Sequence, residues 1–398
     1  MKRISAAVPV MNALLAPVSG GRKRPDEAWR RIVAQAEANS GGTVAGSESF
    51  VEGLRFLYDC FNELKLTPLG WQGVLSEMRG RMENRFRVQR LIAEHPEIAE
   101  EPIEAPIFVT GLPRTATTLT HNIIARSAGH RGPLLWELHW TDVEVDEETR
   151  AKRIKAERKQ AASLQRLSPM YDLMHPLRAE KPEECVYILP QGLHQLVLGI
   201  MPRYRAFLDE HDFTEDYLYL KRALQVLQYG RPRKRWVLKT PEHLFHLELL
   251  LQVFPEAKVV WTHRDPVTVM GSVCSLVETT NLLYVRRPDL GAIGDMWLDI
   301  LTSAVEQGRA ARAHLPPGAL VDVHYHSVAH DPWTEVPKLY ERLGATWTEQ
   351  DAGALDKVME RPIRDRRHEY FLSRYGLRPE RVEEAFGDYT QFVTSMNR

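Results

Sequence analysis

The chain has 398 residues, 43% of them hydrophobic and 26% charged, with a formal net charge of −1. That composition belongs to a globular protein of one large or two modest domains, and near-neutrality excludes the global basic field of a nucleic-acid binder. The three cysteines, Cys60, Cys185 and Cys274, are odd in number and far apart, which excludes a disulfide framework or zinc cluster and suits a reducing, cytoplasmic setting.

Lys2 and Arg3 precede a mildly apolar stretch from Ile4 to Val18. Pro9, Asn12 and Pro17 interrupt it, and no segment reaches the length of a membrane span, so neither a signal peptide nor a span is expected. From Pro25 to Pro96 the pattern is mostly helical, with breaks at Gly41-Gly42 and near Pro68. Phe50, Leu54, Leu57 and Phe61 recur at helical spacing, as do Val74, Met78, Met82 and Phe86, and both sets read as core faces. Arg79, Arg81, Arg85, Arg87 and Arg90 lie among the second set and read as a solvated helix face, the alternative being a substrate or partner surface. An acidic linker, Glu97 to Glu104, leads onward.

The stretch from Pro106 to Gly129 carries the most information. Ile107, Phe108 and Val109 predict a short buried strand. Gly111 and Pro113 signal a turn, and Leu119, Ile123 and Ile124 give one helical face, with Gly129 as its expected stop. A strand, a Gly-containing loop and a helix N-terminus together form an anion site, because free N–H groups and the helix dipole converge there. Arg114 adds a planar fork of donors; Thr115, Thr117 and Thr118 add hydroxyls. A triphosphate-binding loop would carry Gly where Ala116 stands and Lys where Thr117 stands, so a less charged, diester-like anion is better served.

The run P-R-T-A-T-T from Pro113 to Thr118 resembles the 5′-phosphosulfate loop of sulfotransferases, written P-R-[ST]-G-T-T in the tyrosylprotein and bacterial branches. Ala116 departs from the usual Gly. The resemblance implies 3′-phosphoadenosine 5′-phosphosulfate (PAPS) as co-substrate, bound by Gly111, Pro113, Arg114, Thr115, Ala116, Thr117 and Thr118. It also implies a catalytic Glu after the loop helix. Glu137, among the apolar neighbours Leu135, Trp136 and Leu138, is the candidate base for a hydroxyl acceptor. A carboxylate that only pairs with a nearby Arg or caps a helix is the alternative, and His139, His175 and His194 are rivals for the role.

Asp142 to Glu148 reads as a solvated helix start and Arg150 to Leu167 as a basic helix. Pro169 to Pro190 is irregular and does not look like core; Met170, Tyr171, Met174 and His175 within it suit an acceptor pocket or packing under a loop. Helices resume from Leu193 to Tyr229. Trp236, Val237 and Leu238 then predict a strand ending in Lys239, with Thr240 as cap and Pro241 as first helical residue before Leu244, Leu247, Leu250 and Leu251. Val259, Val260 and Trp261 predict another, followed by Arg264 and an Asp265-Pro266 helix start. In the family, an Arg after a strand and a Ser eight positions on hold the 3′-phosphate; Arg264 and Ser272 match that spacing. Lys239 resembles the Lys that stabilises the transferring group, as Arg114 does from the loop. Leu320, Val321 and Val323 predict a late strand. His324, His326 and His330 lack the companion ligands of a metal site, and helical patterns run from Pro332 to the end.

Short apolar strands alternating with helices predict an α/β fold: a P-loop-like parallel sheet flanked by helices. The expected organisation is a helical N-terminal extension (1–100), an α/β core (101–345) and a helical C-terminal segment (346–398). The implied reaction is in-line sulfuryl transfer to a small hydroxyl acceptor, requiring no metal. A nucleotide kinase and a non-catalytic nucleotide-binding scaffold are the alternatives.

Overall fold

A computed structural model of the chain describes residues 3–360 and 371–396; Lys2 and the parts of the C-terminal helical pattern at 361–370 and 397–398 lie outside them. Five strands, β1 (Ile107–Gly111), β2 (His130–Arg131), β3 (Arg235–Lys239), β4 (Lys258–His263) and β5 (Leu320–His324), form one sheet in the order β2-β3-β1-β4-β5. Every pairing is parallel. Successive side chains leave opposite faces of a strand, and here both faces are buried. Ile107, Val109, Val237 and Val260 pack in one cluster with Ile123, Ile124, Val336, Leu339 and Leu355. Phe108, Trp236, Leu238, Val259 and Trp261 pack in a second, larger one. Burial on both sides is why the strands read as continuous apolar runs.

Helices cover both faces. The N-terminal ones are α1 (Ala7–Leu15), α2 (Pro25–Ser40), α3 (Glu48–Asn62) and α4 (Pro68–Glu94). After β1 come α5 (Thr117–Ile124), α6 (Leu135–His139), α7 (Glu147–Leu167), α8 (Pro169–Met174), α9 (Pro202–Glu210) and α10 (Thr214–Gln228). Between β3 and β5 lie α11 (Leu247–Val253), α12 (Pro266–Tyr284) and α13 (Leu290–Arg312). The C-terminal part adds α14 (Tyr325–His330), α15 (Pro332–Arg342), α16 (Glu349–Met359), α17 (Pro379–Phe386) and α18 (Asp388–Ser395). Local chemistry sets the boundaries. Gly41 closes α2 at φ 69°; the Thr67, Asp146 and Asp265 side chains accept from the N–H of Gly70, Thr149 and Thr268 and so cap α4, α7 and α12.

Four expectations are corrected. The loop helix ends at Ile124, and Gly129 sits instead in the turn to β2, where its carbonyl accepts the Arg235 N–H at 2.9 Å. The segment after Lys239 splits into a 3₁₀ turn (Pro241–Phe245) and α11. The arginines of α4 are not uniformly a solvated face: Arg81 and Arg87 are each only 7% exposed. Arg81 donates to the carbonyls of Leu189 (2.5 Å) and Val186 (3.1 Å), and Arg85 stacks 4.4 Å over Tyr219. Pro169 to Pro190 does contribute to the core, through Met170, Met174, Cys185, Ile188 and Leu189.

Gly111 ends β1 at φ 130°, opposite Thr262 in the register, and a Cβ there would stand 2.4 Å from the Thr262 carbonyl oxygen. Gly111→Ala is therefore expected to lower stability by about 2–3 kcal/mol. Urea unfolding measures this, and a loss below about 0.5 kcal/mol would show that β1 and β4 have room to part.

Candidate active site

Because β1 lies between β3 and β4, the loop after β1, Lys239 at the end of β3 and Arg264 just past β4 share one edge of the sheet. This is the carboxyl edge, where open α/β sheets bind ligands. In the loop, Arg114 and Ala116 both take φ 72°. A left-handed residue costs an L-amino acid about 1–2 kcal/mol, and such turns aim successive N–H groups into one concavity. Ala116 immediately precedes α5, whose first N–H groups have no acceptor within the helix.

The hydroxyls divide. Thr115 is fully buried; its Oγ1 donates to the Leu112 carbonyl at 2.6 Å and lies 2.6 Å from Thr262 Oγ1, so it braces the loop against β4. Thr117 is buried, whereas Thr118 is exposed and its Oγ1 accepts from Lys239 Nζ at 3.3 Å. Pro113 lines the adjoining cavity.

The two anion motifs meet. Arg114 donates through Nε to Ser272 Oγ (3.0 Å) and through Nη1 to the Met174 carbonyl (2.6 Å). Arg264 donates to the Arg114 carbonyl at 2.9 Å and lies 4.0 Å over the Tyr325 ring. Arg114, Ser272 and Arg264 thus form one bonded group, though Arg114 and Ser272 are 158 residues apart.

Lys239 has a fully buried side chain, with Nζ 2.5 Å from Glu184 Oε1 and 3.8 Å from Glu183. Glu183 in turn lies 3.5 Å from His175 Nε2. Burial works against the charged imidazole, but the carboxylate of Glu183, with Glu184 behind it, outweighs burial and holds the His175 pKa above its ordinary value. Burial likewise opposes ionisation of Glu183, but His175 and Lys239 outweigh it and hold that carboxyl well below its usual range. His175, Glu183 and Glu184 are close enough to hold a metal ion, but Lys239 already supplies the positive charge between the carboxylates. His326 and His330 stack at 4.9 Å, and His324 Nδ1 accepts the His326 N–H at 3.4 Å.

A cavity of about 340 Å³ opens from Gly111, Leu112 and Pro113 into an apolar wall that includes Leu276, Leu283, Trp297, Ile300 and Leu301. His139, His175, His194 and Glu184 also line it. Tyr171 and His175 of the irregular segment belong to the lining, while Met170 and Met174 are buried. Each of the three histidines has a carboxylate partner: Glu157 for His139 (2.7 Å), Glu183 for His175, and Glu242 for His194 (2.8 Å). His175 is the one tied to the loop, through the Arg114–Met174 bond beside it and the Glu183–Lys239 contact.

Glu137 stands elsewhere. It does not line the cavity; Oε1 accepts from Arg131 Nη2 at 2.5 Å and Oε2 from the Leu134 N–H at 3.0 Å, at the start of α6. This is a helix-capping, ion-paired carboxylate, and the geometry lends no support to its role as base. Glu183 and Glu184 went unassigned in the sequence, where they are an acidic pair between Pro182 and Cys185 in the irregular stretch. Only their approach to Lys239, more than 50 residues on, marks them.

Residues 106–349 match the sulfotransferase family. The structure is similar to sulfotransferase STF1 from Mycobacterium tuberculosis, with a TM-score of 0.79 and 30% identity, covering 90% of this chain and 98% of that one. It is likewise similar to sulfotransferase STF9 from Mycobacterium avium, with a TM-score of 0.82 and 28% identity over 91% and 96% of the two chains. The omega-hydroxy-beta-dihydromenaquinone-9 sulfotransferase Stf3 of Mycobacterium bovis and of Mycobacterium tuberculosis is 28% identical over 258 residues. That match spans 62% of this chain and 65% of the length of those relatives.

Glu137→Gln tests the capping assignment. The variant is expected to lose roughly 1–3 kcal/mol of stability, the scale of a charge-assisted hydrogen bond, while turnover per folded molecule stays within about threefold. A fall of roughly a hundredfold or more in a well-folded variant would return the base role to Glu137.

Proposed function

The chain belongs to the sulfotransferase family, and we propose that it transfers a sulfuryl group from PAPS to the hydroxyl of an apolar acceptor. The carrying observation is the meeting of Arg114, Ser272 and Arg264 at one sheet edge beside Lys239, where the apolar cavity opens. The donor set fits the nucleotide: two guanidiniums, an ammonium, hydroxyls and a helix N-terminus suit an anion at each end. When bound, PAPS supplies the sulfuryl group and a phosphate leaving group.

In this reading the N–H groups at the start of α5 and the Arg114 guanidinium hold the phosphosulfate end, and Arg264 and Ser272 hold the 3′-phosphate. Lys239 offsets charge developing on the bridging oxygen. His175 accepts the acceptor's hydroxyl proton on its neutral imidazole, and Glu183 orients the ring and stabilises the charge it gains, as a carboxylate does behind a general-base histidine. The lining of Leu276, Trp297, Ile300 and Leu301 suits an acceptor whose body is apolar, in keeping with the quinone-type compound in the name of the Stf3 relatives. No observation among the described residues favours the nucleotide-kinase reading. Incubation with isotopically labelled PAPS and primary alcohols of increasing chain length, read by mass spectrometry, tests the proposal: sulfated long-chain products are expected. Adenosine bisphosphate binding without transfer to any acceptor would select the scaffold instead.

His175→Gln should lower turnover by roughly 10²–10⁴-fold, the usual share of a general base. The pH profile carries the sign. A raised pKa keeps the imidazole protonated at lower pH, so turnover should climb with pH through an inflection above 6.5, the ordinary His value. Glu183→Gln removes the chief charge raising it, so that inflection should move down; an unmoved inflection would detach Glu183 from His175.

Arg264→Ala should weaken adenosine 3′,5′-bisphosphate binding by about 1.5–3 kcal/mol. Unchanged calorimetric affinity in a folded variant would remove Arg264 from the nucleotide site.

A further inference from the structure

We propose that the protein docks peripherally on an anionic lipid bilayer, through the outer face of α1 and the cations that follow it. From Ile4 to Gly21 the sequence contains no charged residue. The segment is nonetheless fixed to the body: Val8 is buried, the Leu69 N–H donates to Asn12 Oδ1 at 2.9 Å, and the Ser5 N–H donates to the Leu167 carbonyl at 2.8 Å. Its outer face is apolar. Val10, Leu14 and Val18, spaced four residues apart, are 59%, 67% and 64% exposed. They are three of only six large apolar side chains left exposed among the described residues. Four-residue spacing sets Val10 and Leu14 along one face of α1, with Val18 in the 3₁₀ helix that follows (Pro17–Lys23), and three exposed apolar side chains in one short segment need an occupant in a way that single ones do not.

Charge favours a lipid occupant. Arg22 and Lys23 follow Val18 after Ser19, Gly20 and Gly21 and are exposed. An apolar face followed by cations is the pattern of a segment lying in the interface of an anionic membrane. No helix among the described residues is long and apolar enough to cross one, so the contact is interfacial. Gln160 and Leu164 of α7 line the cavity, so the helix that anchors this surface also forms a wall of the acceptor site. The docking itself stands independently of the proposed reaction.

The test is co-sedimentation of the full chain with sucrose-loaded vesicles of phosphatidylcholine alone or mixed with phosphatidylglycerol. Binding to the mixed vesicles that weakens with salt is expected. Leu14→Asp should reduce it by about tenfold or more, and Arg22→Ser and Lys23→Ser by roughly fivefold each, with melting temperatures unchanged because these side chains are exposed. Failure to sediment with anionic vesicles, or unchanged sedimentation of Leu14→Asp, would overturn the proposal. So would a vesicle-free dimer in sedimentation velocity that Leu14→Asp dissolves, since the face would then belong to a second copy.

Discussion

An ammonium group buried at the end of a central strand governs the layout of this site. Lys239 has no solvent-exposed side-chain surface, and an unpaired buried cation would cost several kcal/mol. Glu184 and Glu183 meet that requirement, and both come from a stretch with little regular structure of its own. The path from Pro169 to Pro190 is thus held partly by charge. Glu183 then brings His175 into the group, and the carbonyl of the preceding residue, Met174, takes a donor from Arg114. A continuous series of polar contacts joins the anion loop to the cavity wall, and each partner constrains the next.

Sheet order makes those contacts possible. The chain leaves β1 for the edge strand β2, returns to β3 beside β1, and then crosses past β1 to β4, leaving β1 in the middle. Val109 faces Lys239 in one register and Gly111 faces Thr262 in the other. Any order that separated these strands would set the loop, Lys239 and Arg264 at different points along the edge. Close approach at Gly111 and the Thr115–Thr262 contact then fix how tightly the loop sits on β4.

What was legible in the sequence follows from the range of the interaction concerned. Strands buried on both faces announce themselves as apolar runs, and Asp265-Pro266 fixes a helix start within four residues, so four of the five strands and the flanking helices could be read directly, while the two-residue edge strand β2, with no apolar run, could not. The placement of Arg264 just past β4 and of Ser272 on the second turn of α12 was legible because only eight residues separate them. The order of residues left Glu137 open between base and cap, because it does not tell which way the carboxylate faces; Arg131 and the Leu134 N–H, both within six residues, engage it. Arg81 resembled a surface residue because its acceptors, the Val186 and Leu189 carbonyls, lie more than 100 residues away. Pairings of that range leave no local pattern.

The requirement for arginine at position 114 can be argued from the same geometry. Ser272 lies six residues into α12, roughly 9 Å along its axis at 1.5 Å per residue, and the Met174 carbonyl belongs to a different element. One side chain reaches both because the guanidinium presents several N–H groups in a rigid plane, with Nε directed to Ser272 and Nη1 to Met174. Lysine would offer a single nitrogen and could not span the two acceptors in that fixed geometry. Arg264 closes the arrangement by donating to the Arg114 carbonyl, in a loop whose left-handed turns at Arg114 and Ala116 already carry strain. The side-chain and main-chain bonds of Arg114 therefore hold that strained loop, α8 and α12 in one geometry, so a shift in any of the three elements is felt at the other two.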